Sequence, residues 1–176
     1  MPNLQPVIPS ADGHRRFACS PAAVVVFIIN QAEELLLLSH PKRNGAWEVI
    51  SGALEAEETV LAGVLREVRE EAGAQLRVRP LGPVHIASFY YDDNAHYMLS
   101  LNYLLVHEGG PVVPGDDMAG SQFRWWSLEA LAAETAEVII PRDMWLLSRA
   151  VDLYRLWKDE RLDLQPNMYR QLFNFT

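Results

Sequence analysis

Gly52-Ala-Leu-Glu-Ala-Glu-Glu58-Thr59 runs into Val60-Leu-Ala-Gly-Val-Leu-Arg66-Glu67-Val-Arg-Glu70-Glu71-Ala-Gly73-Ala74, and this stretch governs how the chain is read. Glu67, Glu70 and Glu71 stand at i, i+3 and i+4, spacings that stack side chains on one face of an α-helix. At about 100° per residue they span one arc of roughly 100°. Leu61, Val64, Leu65, Val68 and Ala72 fill the adjacent arc, the one suited to a core. Arg66 and Arg69 fall outside both arcs. Like charges so placed repel by about 0.2–0.5 kcal/mol per exposed pair. A multivalent cation against that face offsets the repulsion; a solvated acidic face is the alternative. Thr59 is the expected N-cap and Gly73 the expected stop, giving a helix of roughly fourteen residues.

The full spacing is Gly, five residues, Glu, seven residues, then Arg-Glu-Val-Arg-Glu-Glu-Ala-Gly-Ala. It resembles the box of the Nudix hydrolase family, Gly-x5-Glu-x7-Arg-Glu-U-x-Glu-Glu-x-Gly-U, where U is a bulky aliphatic residue. Gly52, Glu58, Arg66, Glu67, Val68, Glu70, Glu71 and Gly73 match it, while Ala74 is small for the last position. The family's usual Pro-Gly-Gly entry reads Ile50-Ser51-Gly52 here. The resemblance covers roughly residues 20 to 160 and is specific only in the box.

Working outward, residues 1–19 hold Pro2, Pro6 and Pro9 without periodicity and are expected to form an extended arm. Ala22 to Asn30 reads as a buried strand, and Glu33 to His40 as the next, about a turn at Asn30-Gln31-Ala32. A loop Pro41 to Gly45 precedes a short strand Ala46 to Ile50. Beyond the helix, Leu76–Val78, Val84–Tyr91 and Tyr97–Val106 read as strands, the last two paired about Asp92-Asp93-Asn94. Glu108 to Gly120 is a loop, Gln122 to Trp126 a strand, and Ser127 the cap of a helix Leu128 to Thr135. An amphipathic helix is expected from Arg142 to about Lys158. Strands and helices interleave, so the class is α/β or α+β with one sheet between helices. The resemblance implies a Nudix-like α/β/α sandwich with a mixed β-sheet. The domain is placed at 20–160, followed by a tail, 161–176, packed on the domain or on a partner subunit.

Composition bounds the partners. Among 176 residues, 49% are hydrophobic and 22% charged, ordinary values for one globular domain. The net charge of −8 argues against polymeric nucleic acid or anionic membrane as the main partner. It leaves room for a single nucleotide, whose phosphates a metal and a few arginines can meet. A lone cysteine, Cys19, forbids an intramolecular disulfide and fits a reducing, cytoplasmic compartment. The start, Met-Pro-Asn-Leu-Gln-Pro, has no signal-peptide character, and the apolar runs are too short to span a bilayer.

The chemistry follows from charge. A diphosphate resists water because its oxygens repel the nucleophile, and divalent cations relieve that repulsion and activate water. Carboxylates suit Mg²⁺, with Mn²⁺ able to substitute; no Cys/His set with zinc spacing is present. The resemblance makes Glu70 and Glu71 metal ligands and Glu67 either a ligand or the group that positions or deprotonates water. It assigns a backbone carbonyl of the Gly52 region to the metal. Glu58 and Arg66 are expected to pair and fix the loop onto the helix. Asp116 and Asp117 are candidates for an additional loop carboxylate, Asp117 for the metal and Asp116 for the substrate. Lys42 and Arg43 are candidates for phosphate. Trp47, Tyr90 and Tyr91, with Tyr97, either stack on a base or pack across strands.

Two functions from different classes follow. One is Mg²⁺-dependent hydrolysis of a diphosphate linkage in a nucleoside diphosphate joined to another moiety: a nucleotide, dinucleoside polyphosphate or nucleotide-sugar. The other is a regulatory module that binds a nucleotide with little turnover. An isopentenyl diphosphate isomerase needs a catalytic cysteine, and Cys19 lies on the arm before the first strand. The apolar segment Met168 to Phe175 is a candidate contact for a homodimer.

Overall fold

The structure, a computed structural model, describes residues 6–115, 118–133, 138–140 and 144–160. The alternation of Ala22–Ile29 (β3) sends Val24, Val26 and Ile28 to one face of a sheet and Val25, Phe27 and Ile29 to the other. Leu35–Ser39 (β4) alternates likewise. Each face therefore needs its own cover, because a sheet buried on both sides reads as a continuous apolar run. Helix α1 (Val60–Glu67) covers one face through Val64, with Val68 and Ala72 in the turn that continues it. Helix α3 (Met144–Trp157) covers the other through Leu147, Ala150, Val151 and Tyr154, with Leu131 of α2 (Leu128–Ala133) beside it. This is the expected sandwich, and the sheet is mixed.

In that sheet β3 runs parallel to β8 (Tyr97–Gly109), and β8 pairs antiparallel with β7 (Arg77–Tyr90) at the margin. On its other side β3 meets β4 at a single register position, Ile29 with Leu35. β4 also carries β9 (Phe123–Trp126) and β5 (Trp47–Glu48), and β5 pairs in parallel with β10 (Val138–Ile140). The single strand expected over Ala46 to Ile50 is instead two. The chain leaves β4 after Glu48 and joins β3 as β6 (Ile50–Ala53), with Val24 opposite Gly52. That change of partner at Val49 sets Glu48 and Gly52 in neighbouring parts of one sheet.

Two further differences concern strands. The extended arm is a two-stranded hairpin, β1 (Val7–Pro9) with β2 (Arg16–Ala18), turned by Ser10 to Gly13. Leu76–Val78 and Val84–Tyr91, expected apart, form the one strand β7, whose register shifts at Pro80/Gly82 and Pro83/His85 absorb the two prolines. The long helix is described from Met144 to Trp157; its expected first residues, Arg142 and Asp143, lie outside the described residues, as do 134–137 and the tail 161–176. Among the described residues no helix is long and apolar enough to cross a membrane.

Candidate active site

Thr59 caps α1 as expected, its side chain accepting from the Ala62 N–H at 3.2 Å. The helix does not stay α. From Val68 to Ala72 it widens into a π-helical turn, with i→i+5 rather than i→i+4 bonding, and ends at Gly73 with φ +101°. The turn is held from outside, since the Val113 N–H donates to the Ala72 carbonyl at 2.8 Å. A Cβ at Gly73 would stand 2.6 Å from the Val113 carbonyl oxygen. Glu67 ends the α segment, whereas Glu70 and Glu71 sit in the wider turn, so the three glutamates do not share one regular stripe.

Glu67 is only 7% exposed. Its carboxylate lies over Gly52, in space that a Cβ there would fill. Burial pushes its pKa up and the Arg66 hydrogen bond pulls it back. Glu71 accepts from the Ser51 backbone N–H, and its pKa is raised to about 8, first by burial and then by the charges of Glu67 and Glu48. Glu70 is half-exposed and accepts from Arg66 at 2.9 Å.

Arg66 does not point away from the glutamates; its long side chain folds its head back among them. Nε and Nη2 donate to Glu58 at 3.0 and 3.1 Å, Nη1 donates to Glu67 at 2.6 Å and Glu70 at 2.9 Å, and Nη2 also meets the Ala53 carbonyl at 2.9 Å. All five guanidinium N–H groups are thereby used. The Arg66 bond holds the Glu58 carboxyl below the usual range. The pair ties the Ala53–Glu58 loop onto the helix.

Glu48 was not among the sequence candidates. It is 4% exposed and opposite Leu38, hence on the α1 face. Arg43 donates to its Oε2 at 2.6 Å, and His40 Nε2 lies 3.4 Å from Oε1. Burial pushes its pKa up and Arg43 opposes this. The sequence signal was a lone acid inside the apolar run Trp47-Glu-Val-Ile50.

The aromatic candidates separate. Strand alternation sends Trp47 to the α3 face, where it packs edge-on to Trp126 at 5.4 Å, away from the glutamates. Tyr90 pairs with Tyr97 at the β7–β8 turn, and its hydroxyl bonds Asp93. The register Gly52–Val24–Leu101–Ile86 crosses three strand spacings, and Tyr90 lies four residues further along. Tyr90 is thus roughly 20 Å from the glutamates, within reach only of the far end of an extended substrate. Tyr91 faces the other way, against Phe89. Lys42 donates its backbone N–H to His40 Nδ1 at 3.1 Å. Asp116 and Asp117 lie outside the described residues, although Gly115 before them packs beside the Glu70 carbonyl.

Among the described residues no three acidic, His or Cys side chains converge into a ready metal cage. The donor set nevertheless fits a hard divalent cation. Glu67, Glu71 and Glu48 crowd negative charge at the Gly52 cradle, and carboxylates are the oxygens Mg²⁺ takes.

The chain resembles known proteins in sequence and in fold. The NUDIX domain family matches residues 20–144. The chain is 28% identical over 151 residues to a Pseudomonas aeruginosa protein named NAD-capped RNA hydrolase NudC, covering 83% of this chain and 48% of that one. It therefore spans about half the length of that relative. Over 110 residues it is 31% identical to the Methanocaldococcus jannaschii ADP-ribose pyrophosphatase, covering 61% of this chain and 64% of the relative. In fold it resembles a Clostridium perfringens hydrolase of the NUDIX family, with TM-score 0.60, 20% identity, and 77% and 96% of the two chains covered. It likewise resembles a Streptococcus suis ADP-ribose pyrophosphatase, with TM-score 0.61, 19% identity, and 78% and 93% covered. The box, the sandwich and these likenesses converge: the chain belongs to the NUDIX domain family.

Proposed function

We propose that the chain hydrolyses a diphosphate linkage in a nucleoside diphosphate joined to another moiety, with Mg²⁺ as cofactor and Mn²⁺ able to replace it. One observation carries this reading: Glu67 rests in the Gly52 cradle beside Glu71, whose ionisation burial and neighbouring acids oppose. Uncompensated buried charge costs stability. A fold that only packed its core has no use for it, whereas a site that takes up a cation does. Glu67, Glu70 and Glu71 would hold the metal together with the Gly52 carbonyl and Asp117. When bound, the metal supplies a water of lowered pKa and neutralises phosphate oxygens.

The chain's own residues supply the rest. Glu67, shielded from solvent, would orient the attacking water or accept its proton. Arg66 and Glu58 hold the loop and helix in register. Tyr90 and Tyr97 would meet the far moiety of a long substrate. One relative is named for NAD-capped RNA, a polymeric nucleic acid, so the charge of −8 does not by itself close that class. A cytoplasmic setting and a homodimer belong to the same reading. The dimer is tested by comparing the solution mass of the full chain with that of a chain truncated after Asp163.

The test of the activity is product identification after incubation with Mg²⁺ and a panel of ADP-ribose, NAD, dinucleoside polyphosphates and nucleotide-sugars. The expected result is cleavage of at least one by the native protein and a loss of 100-fold or more in Glu70→Gln. Equal inertness of both proteins on every compound would remove the proposal.

A further inference from the structure

We propose that Glu48 is a positioning residue that clamps the Arg43 guanidinium beside Glu71, and that Arg43 receives a phosphate oxygen of the substrate. The inference rests on the hydrolytic reading above. A bridged diphosphate carries more negative oxygens than a metal covers, so cationic donors must meet the remainder. Arg66 has none to offer, because each of its N–H groups already has a protein acceptor. Arg69 is exposed, and its charge acts on Glu58 at the outer side of the helix. Arg43 is different. Its side chain is 45% exposed, its charge is felt by Glu71, and among the described residues its one acceptor is Glu48, through Nη1. The rest of its planar fork is free to grip an oxyanion.

Glu48 is built to hold that fork still. It sits on β5, bonded between β4 and β10. His40 closes on Oε1 while Arg43 holds Oε2. The His40 Nδ1 accepts the Lys42 backbone N–H, which leaves the ring proton on Nε2, facing Glu48. The intervening turn is tied by Arg43 and Gly45 N–H groups on the His40 carbonyl, both at 3.1 Å, and by Ala46 on Arg43 at 3.0 Å. A buried acid paired with a half-exposed arginine contributes little to stability, and an apolar residue at 48 would serve the core better. The pair makes sense as preorganisation, which lowers the cost of ordering the binding group.

The experiment is a double-mutant cycle read by binding. Native protein, Glu48→Gln, Arg43→Ala and the double variant are titrated calorimetrically with α,β-methylene ADP, an uncleavable nucleoside diphosphate, in Mg²⁺. Each single change is expected to weaken binding about 10-fold, and the double variant no more than Arg43→Ala alone. Arg43→Lys, which keeps charge but not the fork, should stay at least 3-fold weak. Thermal melting monitors folding, and Glu48→Asp replaces Glu48→Gln in the cycle if the latter does not fold. Multiplicative losses, a Glu48 effect that persists without Arg43, or native protein that fails to bind the analogue each overturn the clamp. Native protein that binds the analogue yet cleaves nothing on the panel overturns hydrolysis and leaves the clamp standing.

Discussion

The Glu67 carboxylate occupies the volume that any side chain at position 52 would need. The relation is mutual, since Gly52 is held by β3 through its register with Val24 and cannot retreat. Gly52→Ala is expected to displace Glu67 while leaving the sheet intact, because the clashing atoms are the end of a side chain. Divalent-metal affinity should fall about 10–100-fold, with the far-ultraviolet dichroism unchanged. Metal binding at the native level in this variant would show that the cradle is incidental.

Arg66→Lys should be costly although it keeps the charge. A lysine has three donors on a point charge and cannot span Glu58, Glu67, Glu70 and the Ala53 carbonyl. The site is mostly buried, so the acids left unpaired should cost about 2–4 kcal/mol in urea unfolding. A loss below about 1 kcal/mol would mean that water satisfies them.

The contribution of Glu71 to the stability of the metal-free protein should fall as the pH rises from about 4.5 through about 8. The Glu71 carboxyl titrates near 8 in the folded chain against an ordinary value of 4.5, so the native state holds its proton longer than the unfolded state. Its contribution is fully present below about pH 4.5 and is lost as the pH rises through 8. Glu71→Gln should therefore leave stability at pH 4.5 unchanged and raise it by about 2 kcal/mol at pH 8.5, after discount for solvent screening. Mg²⁺ added at pH 7 should release protons, measured by calorimetry in buffers of different ionisation enthalpy. A flat difference between the two proteins across that range would remove the assignment.

Gly73→Ala and Gly45→Ala separate strain from crowding. Both positions have positive φ, +101° and +72°, but only Gly73 has a neighbour in the way, the Val113 carbonyl at 2.6 Å. Gly45→Ala should cost about 1 kcal/mol and Gly73→Ala about 2–3 kcal/mol, because the Val113 backbone must move. Equal losses in chemical unfolding would mean that the loop around Val113 yields freely.

Local chemistry was legible in the sequence and distant contacts were not. Thr59 and Gly73 bound the helix because a cap and a left-handed stop are decided within a few residues. The π turn between them depends on Val113, forty residues on, and no window around Glu70 reveals it. Arg66 misled because an arc on a helical wheel locates a Cβ, whereas a long side chain carries its charge elsewhere. The hairpin of β1 and β2 has strands too short for periodicity; its available signal was the Asp12-Gly13 turn, with the Gly13 N–H on the Ser10 carbonyl. Trp47 and Glu48 show the limit of composition. One residue apart, they serve opposite faces, and only the pairing of Glu48 with Leu38 says which.

The sheet's outer margin bears on how the protein behaves at high concentration. Pro80 and Pro83 have no amide hydrogen to give a visiting strand, and the register shifts beside them break the even ladder it would need. Arg149 of α3 already holds the Val84 carbonyl at 2.8 Å. Among the described residues of β7, an evenly spaced ladder is left to foreign backbone only from His85 to Tyr90.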